Sequence, residues 1–185
     1  IAVLLRCAAP LHQLHANIKL AISGGQNEPR DAIAGAIWAM LTHPGQLASV
    51  LDGSVRWDQV FEEYVRWMSP IGMSPRRIAS DACVRGIDIK AGGRAFFMFS
   101  AANRDPEHFD DPGSFNIHRD TRKHIAFGAG PHFCAGAFVS RALVADVALP
   151  MIFDHLPGLR LDPDHPAEFR GWAFRGPLTM HALWN

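Results

Sequence analysis

The chain has little cysteine: three residues in 185, Cys7, Cys83 and Cys134. An odd number at wide spacing implies no disulfide framework, and a reducing compartment is the simpler expectation. Charge of one sign is also missing, since 18 basic side chains face 18 acidic ones. That balance removes the usual electrostatic signature of a nucleic-acid or membrane-surface partner. Nor is there a long apolar run. The opening IAVLLRCAAPL is broken by Arg6 and Pro10, is too short to cross a bilayer, and lacks the cationic start and cleavage site of a secretory leader. A cytoplasmic protein is expected. The sequence has no Gly-x-Gly-x-x-Gly fingerprint, no cysteine cluster for iron–sulfur binding, no repeat and no low-complexity tract. Redox chemistry, if the chain performs it, needs electrons from elsewhere.

What is present is concentrated in ten residues, Phe127 to Gly136, reading FGAGPHFCAG. Gly128 and Gly130 have no Cβ, so they permit unusual backbone angles and let the main chain approach a flat cofactor. Cys134 precedes a helical stretch, AGAFVSRALVADVALPMIF, whose unpaired N–H groups and positive dipole end favour a sulfur anion. His132 can offer a ring N–H to an anionic group, and Phe127 supplies an aromatic wall. A lone cysteine is usually a buried structural residue; the glycines and His132 turn the reading towards a metal ligand.

This segment resembles the haem-binding loop of the cytochrome P450 family, whose pattern F-G-x-G-x-H-x-C-x-G is met at every fixed position. The resemblance implies that Cys134 is the proximal thiolate ligand of haem b, held in a loop with Phe127, Gly128, Gly130 and Gly136, and that His132 lies near a propionate. It implies a mainly α fold with small β-sheets (α+β). The expected parts are the long central helix, the E-x-x-R helix, the cysteine loop and the helix after it. Such proteins run to about twice this length, and the resemblance begins near Ile18. The chain is therefore expected to be one partial domain over 1–185, the C-terminal half of that fold, with 1–10 an atypical stub.

Apolar residues recur at helical spacing from Leu11 to Leu41, with Ser23-Gly24-Gly25 and Pro29 as interruptions. A short helix is predicted over Gln46 to Leu51 and a longer one over Trp57 to Trp67, with Ser54 as a candidate N-cap. Arg77 to Ala82, Val84 to Ile89 and Ala95 to Phe99 read as strands, Asn103 to Thr121 as a packed irregular loop, and the helix after Cys134 runs to about Phe153. Leu159 to Leu161, Phe169 to Phe174 and Leu178 to Leu183 read as a final set of strands.

Three further constellations bear on function. Glu63 and Arg66 meet on one helical face; the pair resembles the family's buried E-x-x-R element, with Arg119 as third partner and a structural role. Arg77, with Arg76 as its rival, resembles the arginine directed at a haem propionate. In the central helix the family's acid and alcohol are replaced by Gly24-Gly25-Gln26-Asn27-Glu28-Pro29. Pro29 has no N–H for the carbonyl of Gly25, so the helix is predicted to open there. Glu28 would pass protons to dioxygen, with Asn27 ordering a water and Gly25 supplying a free carbonyl.

The resemblance thus implies a haem-thiolate monooxygenase that inserts one oxygen atom into a small hydrophobic substrate by hydroxylation or O-dealkylation. Its electrons would come from a ferredoxin or a flavin/iron–sulfur reductase, with Arg122 and Lys123 as candidate contacts. Substrate walls are expected around Ile22 and Ser23, at Ile71-Gly72-Met73 and near Phe174-Arg175-Gly176. Two alternatives stay open: a truncated haem-binding fragment without turnover, and a structural domain in which Cys134 is buried or binds zinc beside His132 and His124.

Overall fold

The computed structural model describes residues 10–184; the stub expected over 1–10, apart from Pro10, and Cys7 with it, lie outside the described residues. The central helix is two helices, α1 (Leu11–Gly24) and α2 (Asn27–Thr42), separated by the turn at Gly25 and Gln26. Across the turn the Gln26 N–H reaches back only to the Ser23 carbonyl, at 3.4 Å. A proline at position 29 cannot close the α ladder onto Gly25, so the break falls where backbone chemistry puts it.

The two halves differ in what they bury. Helix α1 has no buried residue, whereas α2 buries Ala32, Gly35, Ala36, Ala39 and Met40. These positions share one helical face. That face packs on α4 (Trp57–Met68), which buries Val60, Phe61, Tyr64 and Val65. Contact is close enough that a Cβ built on Gly35 would lie 1.6 Å from the Tyr64 hydroxyl. Between them runs the short helix α3 (Pro44–Leu51), opened by a proline in its first turn. Ser54 does not cap α4. Its hydroxyl donates to the Ser49 carbonyl at 2.8 Å, and the Arg56 N–H, at the cap position, donates to the Gln59 side chain at 3.2 Å.

Four two-stranded antiparallel sheets are present among the described residues. β1 (Ser74–Arg77) pairs with β4 (Arg94–Phe97), and β2 (Ala82–Val84) with β3 (Ile87–Ile89). The first strand thus begins three residues before the position its β-propensity suggests and ends at Arg77, because pairing with β4 sets its limits. Met98 ends β4 and Phe99–Ala102 forms a short helix, α5. β5 (Arg160–Leu161) pairs with β8 (Ala182–Leu183), and β6 (Glu168–Arg170) with β7 (Gly176–Thr179).

After the cysteine loop the chain is helical from 137 to 155, in three parts. α6 (Ala137–Arg141) and α7 (Leu149–His155) are α-helical, and Ala142–Ala148 between them is π-helical. Pro150 lacks the N–H that would close an α turn onto Asp146, and the wider ladder ends just before it. Val144, Ala145, Leu149 and Phe153 face the core formed by α2 and α4. No helix among the described residues is long and apolar enough to cross a membrane.

Candidate functional site

The cysteine loop is built from three short hydrogen bonds. Gly128 N–H donates to the Ile125 carbonyl at 2.9 Å, Phe133 N–H to Gly130 at 3.0 Å, and Cys134 N–H to Phe127 at 2.8 Å. Closing so tight a path needs left-handed backbone at two places, and Gly128 (φ 71°) and Gly130 (φ 63°) supply it. The loop ends with its thiol exposed, not wrapped in aliphatic packing.

That thiol lines a solvent-open cavity of about 220 Å³. Phe127, Gly128, His132 and Cys134 form the loop side, Glu28, Pro29 and Ala32 come from α2, Phe61 and Val65 from α4, Ile71 from the segment entering β1, and Ser74 and Arg76 from β1 itself. Gly25 and Asn27 sit at the helix break, exposed, and do not reach the lining. Gly130 and Gly136 shape the loop from outside it; a Cβ on Gly136 would lie at an ordinary 3.9 Å from Cys134 Sγ.

Arginine placement departs from expectation. Alternation along β1 buries Ser74 and Arg76 partly and exposes Pro75 and Arg77, because successive strand side chains take opposite faces. Arg76 lines the cavity, and Arg77, preferred from the sequence, does not. Arg76 Nη1 donates to Ser74 Oγ at 2.7 Å, and its guanidinium lies 5.6 Å from the Phe97 ring centroid. Of the expected substrate walls, Ile71 and Phe174 are joined by an isolated antiparallel bridge, while Ile22 is exposed on α1.

Glu28 is the electrostatic anomaly. Its Oε2 is buried and has no hydrogen-bond partner among the described residues. Burial, the leading cause, pushes its carboxyl above the usual range, with the nearby Asp31 adding to the effect.

Beneath the loop, Glu63 and Arg66 are completely withdrawn from water. Arg66 forms a fork on the carboxylate, Nε to Oε2 at 2.6 Å and Nη2 to Oε1 at 2.7 Å. It also donates to the carbonyls of Asn103 (2.9 Å), Pro112 (3.0 Å) and Ser114 (3.0 Å). Arg119 reaches Glu63 at 3.4 Å, and the Asn116 N–H at 2.8 Å. The three partners expected from the sequence are therefore in one place.

A second network was not anticipated. Glu62, next to Glu63 but on the other side of α4, receives Arg141 Nε at 2.5 Å and His124 Nε2 at 2.6 Å. Its carboxyl is desolvated, which raises its pKa, yet the His124 and Arg141 hydrogen bonds outweigh burial and hold it at about 2. The only sequence signal was a pair of adjacent carboxylates on an amphipathic helix, one for each side.

An exposed thiol on a glycine-shaped loop, set over a salt-bridged helix and facing a broken helix across an apolar cavity, marks a helix-rich class of fold with small sheets. The cytochrome P450 family profile matches residues 57–152, and the chain belongs to the cytochrome P450 family. It is 34% identical over 164 residues to the pulcherriminic acid synthase of Bacillus subtilis, covering 83% of this chain and 40% of that protein. It is 33% identical over 167 residues to a steroid C26-monooxygenase of Mycolicibacterium smegmatis, covering 90% and 41%. Among solved structures, cytochrome P450 CREJ in complex with (4-ethylphenyl) dihydrogen phosphate superposes with a TM-score of 0.90 at 26% identity, over 100% of this chain and 46% of that one. P450BioI bound to an acyl-carrier-protein ligand superposes at 0.83 and 30% identity, over 91% and 43%. The fold is the C-terminal portion of the P450 fold, and the chain spans about two fifths of the length of the curated relatives it matches.

Haem is the cofactor of that family, and the residues present fit it. The cavity is mostly apolar, as a tetrapyrrole face requires. Its one thiol is open to the interior, and Arg76 and His132 on the lining are suited to carboxylates. A zinc reading has less support: no three His, Cys, Asp or Glu side chains among the described residues converge as a metal site.

Proposed function

We propose that this chain is the cofactor-holding and dioxygen-handling part of a haem-thiolate monooxygenase. The overall reaction consumes a small hydrophobic substrate, one dioxygen, two electrons and two protons, and yields the oxygenated product and water. Hydroxylation and O-dealkylation both satisfy that balance. The observation that carries the reading is the pairing, on one apolar cavity, of an exposed Cys134 thiol from the loop with a Glu28 side chain from the broken helix whose buried Oε2 has no hydrogen-bond partner among the described residues.

Cys134 would hold the haem through its thiolate. Phe127 and Gly128 would lie against the ring, and Arg76 and His132 would take its propionates, Arg76 replacing the Arg77 preferred from the sequence. When bound, haem b supplies the iron redox chemistry, which electron donation from a thiolate directs towards O–O cleavage. Burial lets Glu28 hold its proton to higher pH than an exposed carboxylate, which favours a general-acid role. Asn27, exposed at the break, orders the water that reloads it, and the Gly25 carbonyl, without a partner from Pro29, accepts from that water. Electrons come from an external ferredoxin or a flavin/iron–sulfur reductase.

A second reading, haem binding without turnover, is favoured by α1, in which no residue is buried. The test separates the two. Protein reconstituted with haem and reduced under carbon monoxide should show the red-shifted Soret band of thiolate ligation, and Cys134→Ala should abolish it. No band, or one indifferent to that substitution, removes both readings. With the band present, oxidation of a small aryl ether in single turnover identifies an enzyme. Glu28→Gln should then slow dioxygen-dependent turnover by about 10²-fold or more at unchanged haem content; an unaltered rate defeats the relay.

A further inference from the structure

Glu62, His124 and Arg141 form a network that no catalytic step uses, and it connects two chain segments 17 positions apart through one carboxylate. Arg141 donates Nε to Oε1 at 2.5 Å and Nη2 to Oε2 at 3.1 Å. His124 occupies the other lobe of Oε2 at 2.6 Å. The Ala126 N–H donates to His124 Nδ1 at 3.1 Å, which makes Nδ1 the acceptor and leaves Nε2–H to donate to Glu62. His124 is 6% exposed and Glu62 19%, so the contacts are sheltered from screening.

The network meets the cysteine loop at both ends. His124 fixes the segment that enters it, through Ala126. Arg141 lies one turn into the helix that leaves it, and its guanidinium sits over the Phe127 ring at 4.6 Å from the centroid. The carbonyl of Phe127 accepts the Cys134 N–H at 2.8 Å. A continuous path therefore runs from the Glu62 carboxylate through Arg141 and Phe127 to the amide of the proposed ligand. We propose that Glu62 is a positioning residue for Cys134, clasping both arms of the loop to α4 so that the thiolate is presented at one depth. This rests on the haem-thiolate reading for its consequence, but the clasp is a property of the protein alone.

The physical reason is the geometry of a two-armed acceptor. A carboxylate has about four lone-pair sites and binds an arginine fork on one side while accepting a second donor on the other. Glutamine in its place loses the charge and turns one acceptor atom into a donor, so one arm is left facing a donor with a donor. The depressed pKa of Glu62 fits a carboxylate that stays charged throughout. Outer partners of a metal ligand are typically worth about 10- to 100-fold in metal affinity or activity, so loss of the clasp should be visible without unfolding α4.

The test uses the intact polypeptide carrying these 185 residues, in wild-type, Glu62→Gln, Glu62→Asp and Arg141→Lys forms. Two readouts are taken: the fraction of carbon-monoxide complex with the red-shifted thiolate band, and peptide-resolved hydrogen exchange of the haem-free protein. Glu62→Gln should lower the thiolate fraction by about tenfold and speed exchange over 124–141 while leaving α2 unchanged. Arg141→Lys keeps a charge but loses fork and stacking and should act in the same direction; Glu62→Asp should recover part of the loss. Unchanged fraction and unchanged exchange in both Glu62→Gln and Arg141→Lys overturn the proposal, as does exchange that rises equally across the whole chain. A wild-type protein without the band, in which Glu62→Gln still loosens 124–141, ends the haem reading and leaves the clasp standing.

Discussion

Glu63 is fully buried and Glu28 half-buried with one oxygen withdrawn from water, and the two carboxylates could hardly be treated more differently. Glu63 accepts from Arg66 twice, from the Asn116 amide and from Arg119. Glu28 leaves Oε2 without a partner and faces the cavity. In the first region every acceptor is saturated, which is how a scaffold makes a buried charge tolerable. In the second an acceptor is kept open, which destabilises the charged form and keeps a proton available. Withdrawal from water does not by itself distinguish the two carboxylates; hydrogen-bond satisfaction does.

Arg66→Ala should break that contrast most severely. It strands the Glu63 charge with only Arg119 nearby, and a loss of roughly 3 to 5 kcal/mol is expected, measured by denaturant unfolding. Gly35→Ala comes next, because its methyl would overlap the Tyr64 hydroxyl and Tyr64 is fully buried with no room to retreat. Overpacking of that kind costs about 1 to 3 kcal/mol in the same assay.

Acid sharpens the comparison more gently. The Glu62 carboxyl is depressed from 4.5 to about 2, so the folded state binds its proton later than the unfolded one. Its stabilisation is complete above pH 4.5 and disappears as pH falls through about 2. A Glu62→Gln protein should therefore be less stable than wild type at neutral pH, with the gap narrowing towards pH 2; a gap of constant size across an acid titration of unfolding would contradict this. Smallest of all should be Cys134→Ala. Its side chain is exposed, and a stability change within about 0.5 kcal/mol is expected in haem-free protein, although the thiolate band is lost completely. Binding chemistry and fold stability would then be shown to lie in different residues.

The parts of this protein legible from sequence are those in which neighbours along the chain do the work. Gly128 and Gly130 are needed wherever the loop between Phe127 and Cys134 closes, since only glycine enters that backbone region without strain. Glu63 and Arg66 meet because three residues bring side chains together on any helix. Pro29 opens the helix at Gly25 because a missing N–H is a property of proline itself. Partners far apart in sequence were illegible to local rules, and Arg119 was joined to Glu63 only through the family resemblance. Glu62 finds His124 and Arg141 at separations of 62 and 79 residues, and no local rule selects one acidic residue of an adjacent pair over the other.

Arg76 and Arg77 show the boundary between the two kinds of knowledge. Sequence established that two arginines stand side by side at positions 76 and 77, and covalent chemistry made Cys134 the one thiol in a loop able to present it. Which arginine turns inward was decided by the register of β1 against β4, Arg76 opposite Ala95 and Arg77 opposite Arg94. A shift of one residue reverses every side chain in a strand. Tertiary packing likewise decided that Glu28 would be left unpaired, because hydrogen-bond satisfaction is counted over all neighbours in space and only a folded chain has them.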